Sequence, residues 1–157
     1  MDPQQQAFPP APVDRFCRRA TMAGIVDGDT IYIVIDLGWS MTYKERARLE
    51  GVNTPEKRGD EREAGLWVAD WVKERFPVDT DLFIASTVYD RTGRARGRYG
   101  RTIAIVYRAS DGLCLNEQLI TQKLAWCTDD HGSLLDERSL VNLTGLPEHL
   151  RTPLPGG

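Results

Sequence analysis

Only three cysteines and two histidines occur in 157 residues. Cys17, Cys114 and Cys127 are odd in number and widely spaced. No C-x-x-C pair and no Cys/His ligand spacing is present, which argues against a zinc site and fits reduced thiols in a reducing compartment. His131 and His149 are single and late in the chain, which disfavours a two-histidine ribonuclease mechanism. No apolar run approaches the roughly 18 residues needed to span a bilayer. The start, MDPQQQAFPPAPVD, lacks both a basic beginning and an apolar h-region, so the expectation is a cytoplasmic protein with no membrane partner. Internal repeats are absent as well.

What is present is ordinary globular material. The apolar fraction is 41% and the charged fraction 27%, which excludes collagen-like, coiled-coil and wholly disordered classes. The length suits one domain with tails. Residues 1–13 are rich in Pro and Gln and read as a flexible tail. Residues 14–143 read as the folded body, and 144–157, with three prolines and a terminal Gly pair, as an irregular tail. The net charge of −3 hides an asymmetry. Arg91, Arg94, Arg96, Arg98 and Arg101 crowd one stretch without an acid, whereas Asp129, Asp130, Asp136 and Glu137 crowd another without Lys or Arg. A local basic cluster can bind a polyanion on an acidic protein.

Periodicity supplies the elements. Ile31, Ile33, Ile35 and Leu37 share one face at period two after the turn Asp27-Gly28-Asp29, and residues 15–26 can pair with them as a hairpin. Met41, Tyr43, Ala47 and Leu49 alternate with Thr42, Lys44, Arg46 and Arg48, with Glu45 as the exception on the apolar face. Residues 61–76 switch to helical spacing, with Trp67 and Trp71 read as packing residues, and Pro77 supplies the stop. Two strands follow, Leu82–Val88 and Arg101–Arg108, and a second helix is expected over 115–124. Three strands, a helix, two strands and a helix suit an α+β, mainly β architecture. A small closed OB-fold-like barrel and an open α+β sheet both fit that order.

Four segments carry chemistry. Val26-Asp27-Gly28-Asp29-Thr30 lies at a turn into a strand, and Arg48-Leu49-Glu50-Gly51-Val52-Asn53-Thr54-Pro55-Glu56 leaves a strand. The others are Arg98-Tyr99-Gly100-Arg101-Thr102-Ile103-Ala104 and Leu115-Asn116-Glu117-Gln118-Leu119. Asp29, Asn53, Thr54 and Glu56 offer hard oxygen ligands of the kind calcium accepts. Proline at 55 forces Thr54 into extended backbone. Arg48 and Arg101 can grip phosphate oxygens with two hydrogen bonds each. A carboxylate, a metal and two guanidiniums suffice to hydrolyse a phosphodiester.

These segments, in this order, resemble the staphylococcal nuclease (thermonuclease) family over about residues 22–125. The resemblance implies a five-stranded OB-like barrel with two or three packed helices. The implied activity is calcium-dependent cleavage of DNA or RNA that leaves 3′-phosphates. By the same resemblance Asp29, Asn53 and the Thr54 carbonyl are the metal ligands, and Glu56 is the general base or water-positioning group. Arg48 and Arg101 are the phosphate clamps, and Tyr99 is a substrate contact. Asn53 replaces an aspartate found in many members and lowers the ligand charge, Lys123 stands where a helix-ending glycine is common, and beyond Ala125 the match ends.

Arg91, Arg94 and Arg96 have two readings, a solvated loop and electrostatic capture of a nucleic-acid strand, and Arg98 joins Arg94 and Arg96 as a candidate substrate contact. Lys44 and Arg46 read as a plain solvated strand face. The leading expectation is a monomeric, calcium-dependent nuclease acting on single-stranded DNA or RNA, with duplex DNA as a further candidate substrate. Two alternatives belong to other classes. One is a non-catalytic OB-fold module that binds nucleic acid; the other is a protein-interaction domain using the acidic C-terminal segment.

Overall fold

The computed structural model describes residues 17–86, 102–129 and 132–151. Three long strands open the fold: β1 (Cys17–Asp27), β2 (Thr30–Gly38) and β3 (Met41–Leu49). A two-residue strand β4 (Val52–Asn53) leads to helix α1 (Arg62–Arg75). Strands β5 (Asp81–Ala85) and β6 (Thr102–Arg108) follow, then α2 (Leu115–Thr121), β7 (Trp126–Cys127) and a short α3 (Glu148–Arg151). Five strands close into an OB-fold-like barrel in the order β1-β2-β3-β6-β5, with β4 and β7 forming a separate two-stranded pair. All neighbours are antiparallel except β3 and β6, which run parallel. The α1-containing connection between β3 and β6 makes that parallel step possible.

The period-two pattern of β2 and β3 does what alternation requires. Ile31, Ile33, Ala47 and Leu49 are wholly or almost wholly buried inside the barrel. The same face does not stay inside along its whole length. Leu37, Met41 and Tyr43 are exposed by 42%, 59% and 46%. The outermost β1–β2 pair is Ala20–Ile35, so the hairpin from Asp36 to Thr42 projects past that pairing, and among the described residues nothing covers its apolar face.

Helix α1 closes one side of the barrel through Ala64, Gly65, Val68, Ala69 and Val72. Trp67 and Trp71 are partly buried against the same core. Two glycines permit the close approach. A Cβ on Gly28 would lie 2.7 Å from Val68 Cγ1, and a Cβ on Gly65 would lie 2.1 Å from the Glu56 carbonyl oxygen. Helix α1 therefore presses directly on both the Asp27–Asp29 turn and the backbone that carries Glu56.

Helix α2 is shorter than its apolar spacing predicts. It ends at Thr121, and Lys123 takes a left-handed conformation with φ of 55°. The Lys123 amide donates to the Ile120 carbonyl and the Leu124 amide to the Leu119 carbonyl, a Schellman end in which buried Leu124 continues the apolar face from outside the helix. Inside α2, buried Asn116 is a polar pin. Its Oδ1 accepts from the Val106 amide at 2.9 Å, and its Nδ2 donates to the Glu50 and Ala104 carbonyls.

The folded body also extends beyond the boundary at residue 143. Leu143, Leu146 and Leu150 are buried in the core, and the Gly145 amide donates to the Lys123 carbonyl. Spacings of three and four residues bring those leucines to one side, a regularity masked in the sequence by the surrounding Gly and Pro. Trp126, 1% exposed, is the largest buried side chain, and its Nε1 donates to the Ser139 carbonyl. That bond ties β7 to the C-terminal segment.

A left-handed lysine is strained where glycine is not. Lys123→Gly should stabilise the fold by about 1 kcal/mol, read in a thermal melt as a rise of roughly 2–4 °C. An unchanged or lower Tm would mean that the Lys123 side chain contributes more than the strain costs.

Candidate functional site

The turn after β1 and the segment after β3 meet at one carboxylate. Asp29 is 8% exposed. Its Oδ2 accepts the Thr54 amide at 2.8 Å and lies 3.4 Å from Arg48 Nη1, and its Oδ1 accepts the Thr30 hydroxyl at 3.1 Å. Arg48 Nη1 also donates to the Asp29 carbonyl at 3.2 Å, and the Leu49 amide donates to that same carbonyl. Local geometry explains the convergence. Thr30 pairs with Arg48 across β2 and β3, so the residue before β2 lies beside the end of β3. Proline at 55 keeps Thr54 extended, and its amide is free to turn toward Asp29. The Asp29, Arg48 and Thr54 predicted as site residues are thus in direct contact.

Glu56 stands two residues beyond Thr54 with its side chain 53% exposed. Its amide donates to Glu61 Oε1, and its Oε2 accepts Arg58 Nε at 3.0 Å. Glu56 and Arg58 line two adjoining depressions. One, of about 300 Å³, also includes Asp27 and Lys57; the other, of about 470 Å³, also includes Asp60, Glu61 and Arg138. Lys57 is anchored by donating from Nζ to the Val26 carbonyl at 2.9 Å.

Asn53 is turned elsewhere. Its Oδ1 accepts Arg138 Nη1 at 2.6 Å. Arg138 also grips Glu61 with Nε at 3.0 Å and with Nη2, and its guanidinium lies 4.5 Å from the Trp126 ring centroid. Arg138 and Glu61 were not among the predicted site residues. Glu61 had a local signal as an acid at the start of a helix. Arg138 had none, because its partners lie 77 and 85 residues away. The predicted residues Arg101, Tyr99, Arg98, Arg96 and Arg94 lie outside the described residues.

The charges report on one another at Asp27. Burial raises its carboxyl above the ordinary range, the Asp29 and Glu56 charges push the same way, and Lys57 and Arg58 oppose them. The donors Asp27, Asp29, Glu56 and the Thr54 carbonyl are all oxygen, the chemistry of a hard cation such as calcium. Thr54 Oγ1 is buried without a hydrogen-bond partner. Among the described residues, no three His, Cys, Asp or Glu side chains converge as ligands. The acidic C-terminal stretch has a different character. Asp129 Oδ1 accepts the Ser133 amide and Asp136 Oδ2 the Cys127 amide, so these carboxylates brace their own backbone.

Neither a protein-family model nor a curated protein matches the chain.

Arg138→Ala strips Asn53 and Glu61 of a charged donor. Urea denaturation should show a loss of about 1–3 kcal/mol, with little rescue by Arg138→Lys because an ammonium cannot reproduce the fork. Asp27 gives a pH prediction. Its folded value is raised, so the native state loses stability relative to the unfolded chain as pH climbs from the ordinary aspartate range through that raised value. In chelator, Asp27→Asn should raise Tm at pH 7, and the gap should close toward pH 3. A gap that widens on acidification would contradict the assignment.

Proposed function

We propose that this chain is a calcium-dependent nuclease of the staphylococcal nuclease type, hydrolysing phosphodiester bonds of DNA or RNA and leaving 3′-phosphates. The observation that supports it is the buried Asp29 carboxylate held between Arg48 and the Thr54 amide. It joins two motifs that lie 25 residues apart and sits on the same turn as Asp27, whose carboxyl feels Glu56.

In this reading Asp29 would hold the cation, with the Thr54 carbonyl and, once released by Arg138, the Asn53 amide oxygen as neutral donors; when bound, the cation would supply the charge that polarises the scissile phosphate. Glu56 orients the attacking water and takes its proton. Arg48 neutralises a non-bridging oxygen as charge shifts toward the leaving group, and Arg101 is assigned the same task. No covalent intermediate is formed, so no serine, cysteine or histidine nucleophile is required. Both ionic partners of the machinery, Arg58 on Glu56 and Arg138 on Asn53, must yield when substrate binds. Those two contacts also favour a second reading, a non-catalytic nucleic-acid-binding module whose would-be catalytic groups are tied up in ion pairs and hydrogen bonds.

Single-stranded DNA, duplex DNA and RNA incubated with calcium or chelator separate the readings. Calcium-dependent cleavage should fall by about 10²-fold or more in kcat for Glu56→Gln and for Arg101→Ala. Cleavage undiminished in both variants would reject the site. Binding without cleavage under any divalent metal would select the module.

A further inference from the structure

The face of the β2–β3 hairpin that points away from the barrel interior forms a ladder. Its rungs are the pairs Thr30–Arg48, Tyr32–Arg46 and Val34–Lys44. Three cations thus stand at alternate positions of β3 on one face, and the one nearest the site, Arg48, touches Asp29. The other two are pre-positioned by one ring. Arg46 Cζ lies 5.5 Å and Lys44 Nζ 5.7 Å from the Tyr32 centroid, and Arg46 Nη2 donates to Tyr32 Oη at 3.1 Å. Tyr32 itself lies over Gly24 of β1, where a Cβ would meet its ring at an ordinary contact distance of 3.7 Å. Among the described residues, the ion pairs of Arg48, Arg58, Arg75, Arg108 and Arg138 do not involve Lys44 or Arg46, whose heads rest on the Tyr32 ring instead of on a carboxylate. Farther along the same face come Asp36 and Thr42, and there the cationic run ends.

We propose that this face is a track for single-stranded nucleic acid, Lys44 and Arg46 taking the two backbone phosphates next to the one held at Arg48. The inference rests on the nuclease reading of the Arg48 end. Alternate residues of a strand are spaced by roughly 6.8 Å, close to the separation of successive phosphates in an extended single strand. A duplex would present its phosphates along a curved groove edge; a straight ladder of three cations suits one extended strand. Holding both heads on Tyr32 reduces the side-chain entropy lost on binding. The contacts are to phosphate, so the track reads no sequence and takes DNA and RNA alike.

Fluorescence anisotropy in chelator, with labelled oligothymidylates and oligouridylates of two and twelve nucleotides, tests this without cleavage. For the twelve-mers, Lys44→Ala with Arg46→Ala should weaken binding about tenfold and lower the salt slope by about 1.4, some 0.7 for each lost phosphate contact. Binding of the dinucleotides should be unchanged. Removing equal charge from α1 with Arg62→Ala and Lys73→Ala should leave the twelve-mer affinity within about twofold, since those residues lie off the ladder. With calcium, the track variant should raise KM for long strands and leave kcat unaltered. Twelve-mer affinity and salt slope equal to wild type would overturn the track, as would an equal loss in the α1 control or an equal loss for dinucleotides. If wild type cleaves while the track variant behaves as wild type, only the track falls; if wild type binds no strand at all, the nuclease reading falls with it.

Discussion

One buried carboxylate organises this molecule. Asp29 is nearly inaccessible, and a charge in that position is tolerated only if it is solvated by the protein. The Thr54 amide, the Thr30 hydroxyl and the Arg48 guanidinium provide that solvation. Each belongs to a different piece of chain: the post-β3 segment, the start of β2 and the end of β3. Satisfying Asp29 therefore fixes the barrel's corner and the approach of Thr54 through Glu56 at once. Helix α1 then seals the corner, with Val68 against Gly28 and Gly65 against the Glu56 backbone. The stability of the corner and the shape of the candidate site rest on the same contacts.

A second tier of interactions comes from the far end of the chain. Arg138, stacked on buried Trp126, reaches Asn53 and Glu61. An aspartate at 53 would face that guanidinium as an ion pair; asparagine offers a neutral acceptor instead. The neutral side chain at 53 and the arginine beside it are two parts of one electrostatic arrangement, in which the C-terminal segment supplies positive charge beside Asn53 and Glu61. This also explains why the segment beyond residue 143 is ordered onto the body. Leu143, Leu146 and Leu150 anchor it in the core, and without that anchor Arg138 would have no fixed place from which to reach across.

The surface around the corner divides by charge. Asp27, Asp29 and Glu56 gather at the end of β1, where burial first, and the Asp29 and Glu56 charges after it, raise the Asp27 carboxyl. Directly beside them, the outward face of β3 carries Arg48, Arg46 and Lys44. An acidic pocket thus abuts a basic ladder, and the proposed nuclease would use the first for a cation and the second for a polyanion.

Much of this was legible in the residues. Alternation in Ile31–Leu37 and in Ala47–Leu49 specified strands with one buried face, because period two leaves only two faces to choose from. The shift to helical spacing before Pro77 marked α1. Arg48, Thr54 and Asp29 stood out as chemistry at motif spacing, and they do touch. Where those predictions fell short, a long-range contact decided the matter. Met41 and Tyr43 fit the apolar face yet are exposed, because whether a strand end is covered depends on how far its neighbour β1 reaches. Helix α2 stops at Thr121 in a Schellman end that buries Leu124 from outside the helix. Lys44 and Arg46 read as plain solvated charges until the register set them on Tyr32 in line with Arg48. Alternation, turns and motif spacing are properties of neighbouring residues, so the chain by itself determined the elements and singled out Asp29, Arg48 and Thr54, which meet at one carboxylate. Register, rim length and the reach of Arg138 across the molecule depend on which distant surfaces are buried together, and only the tertiary structure decided them.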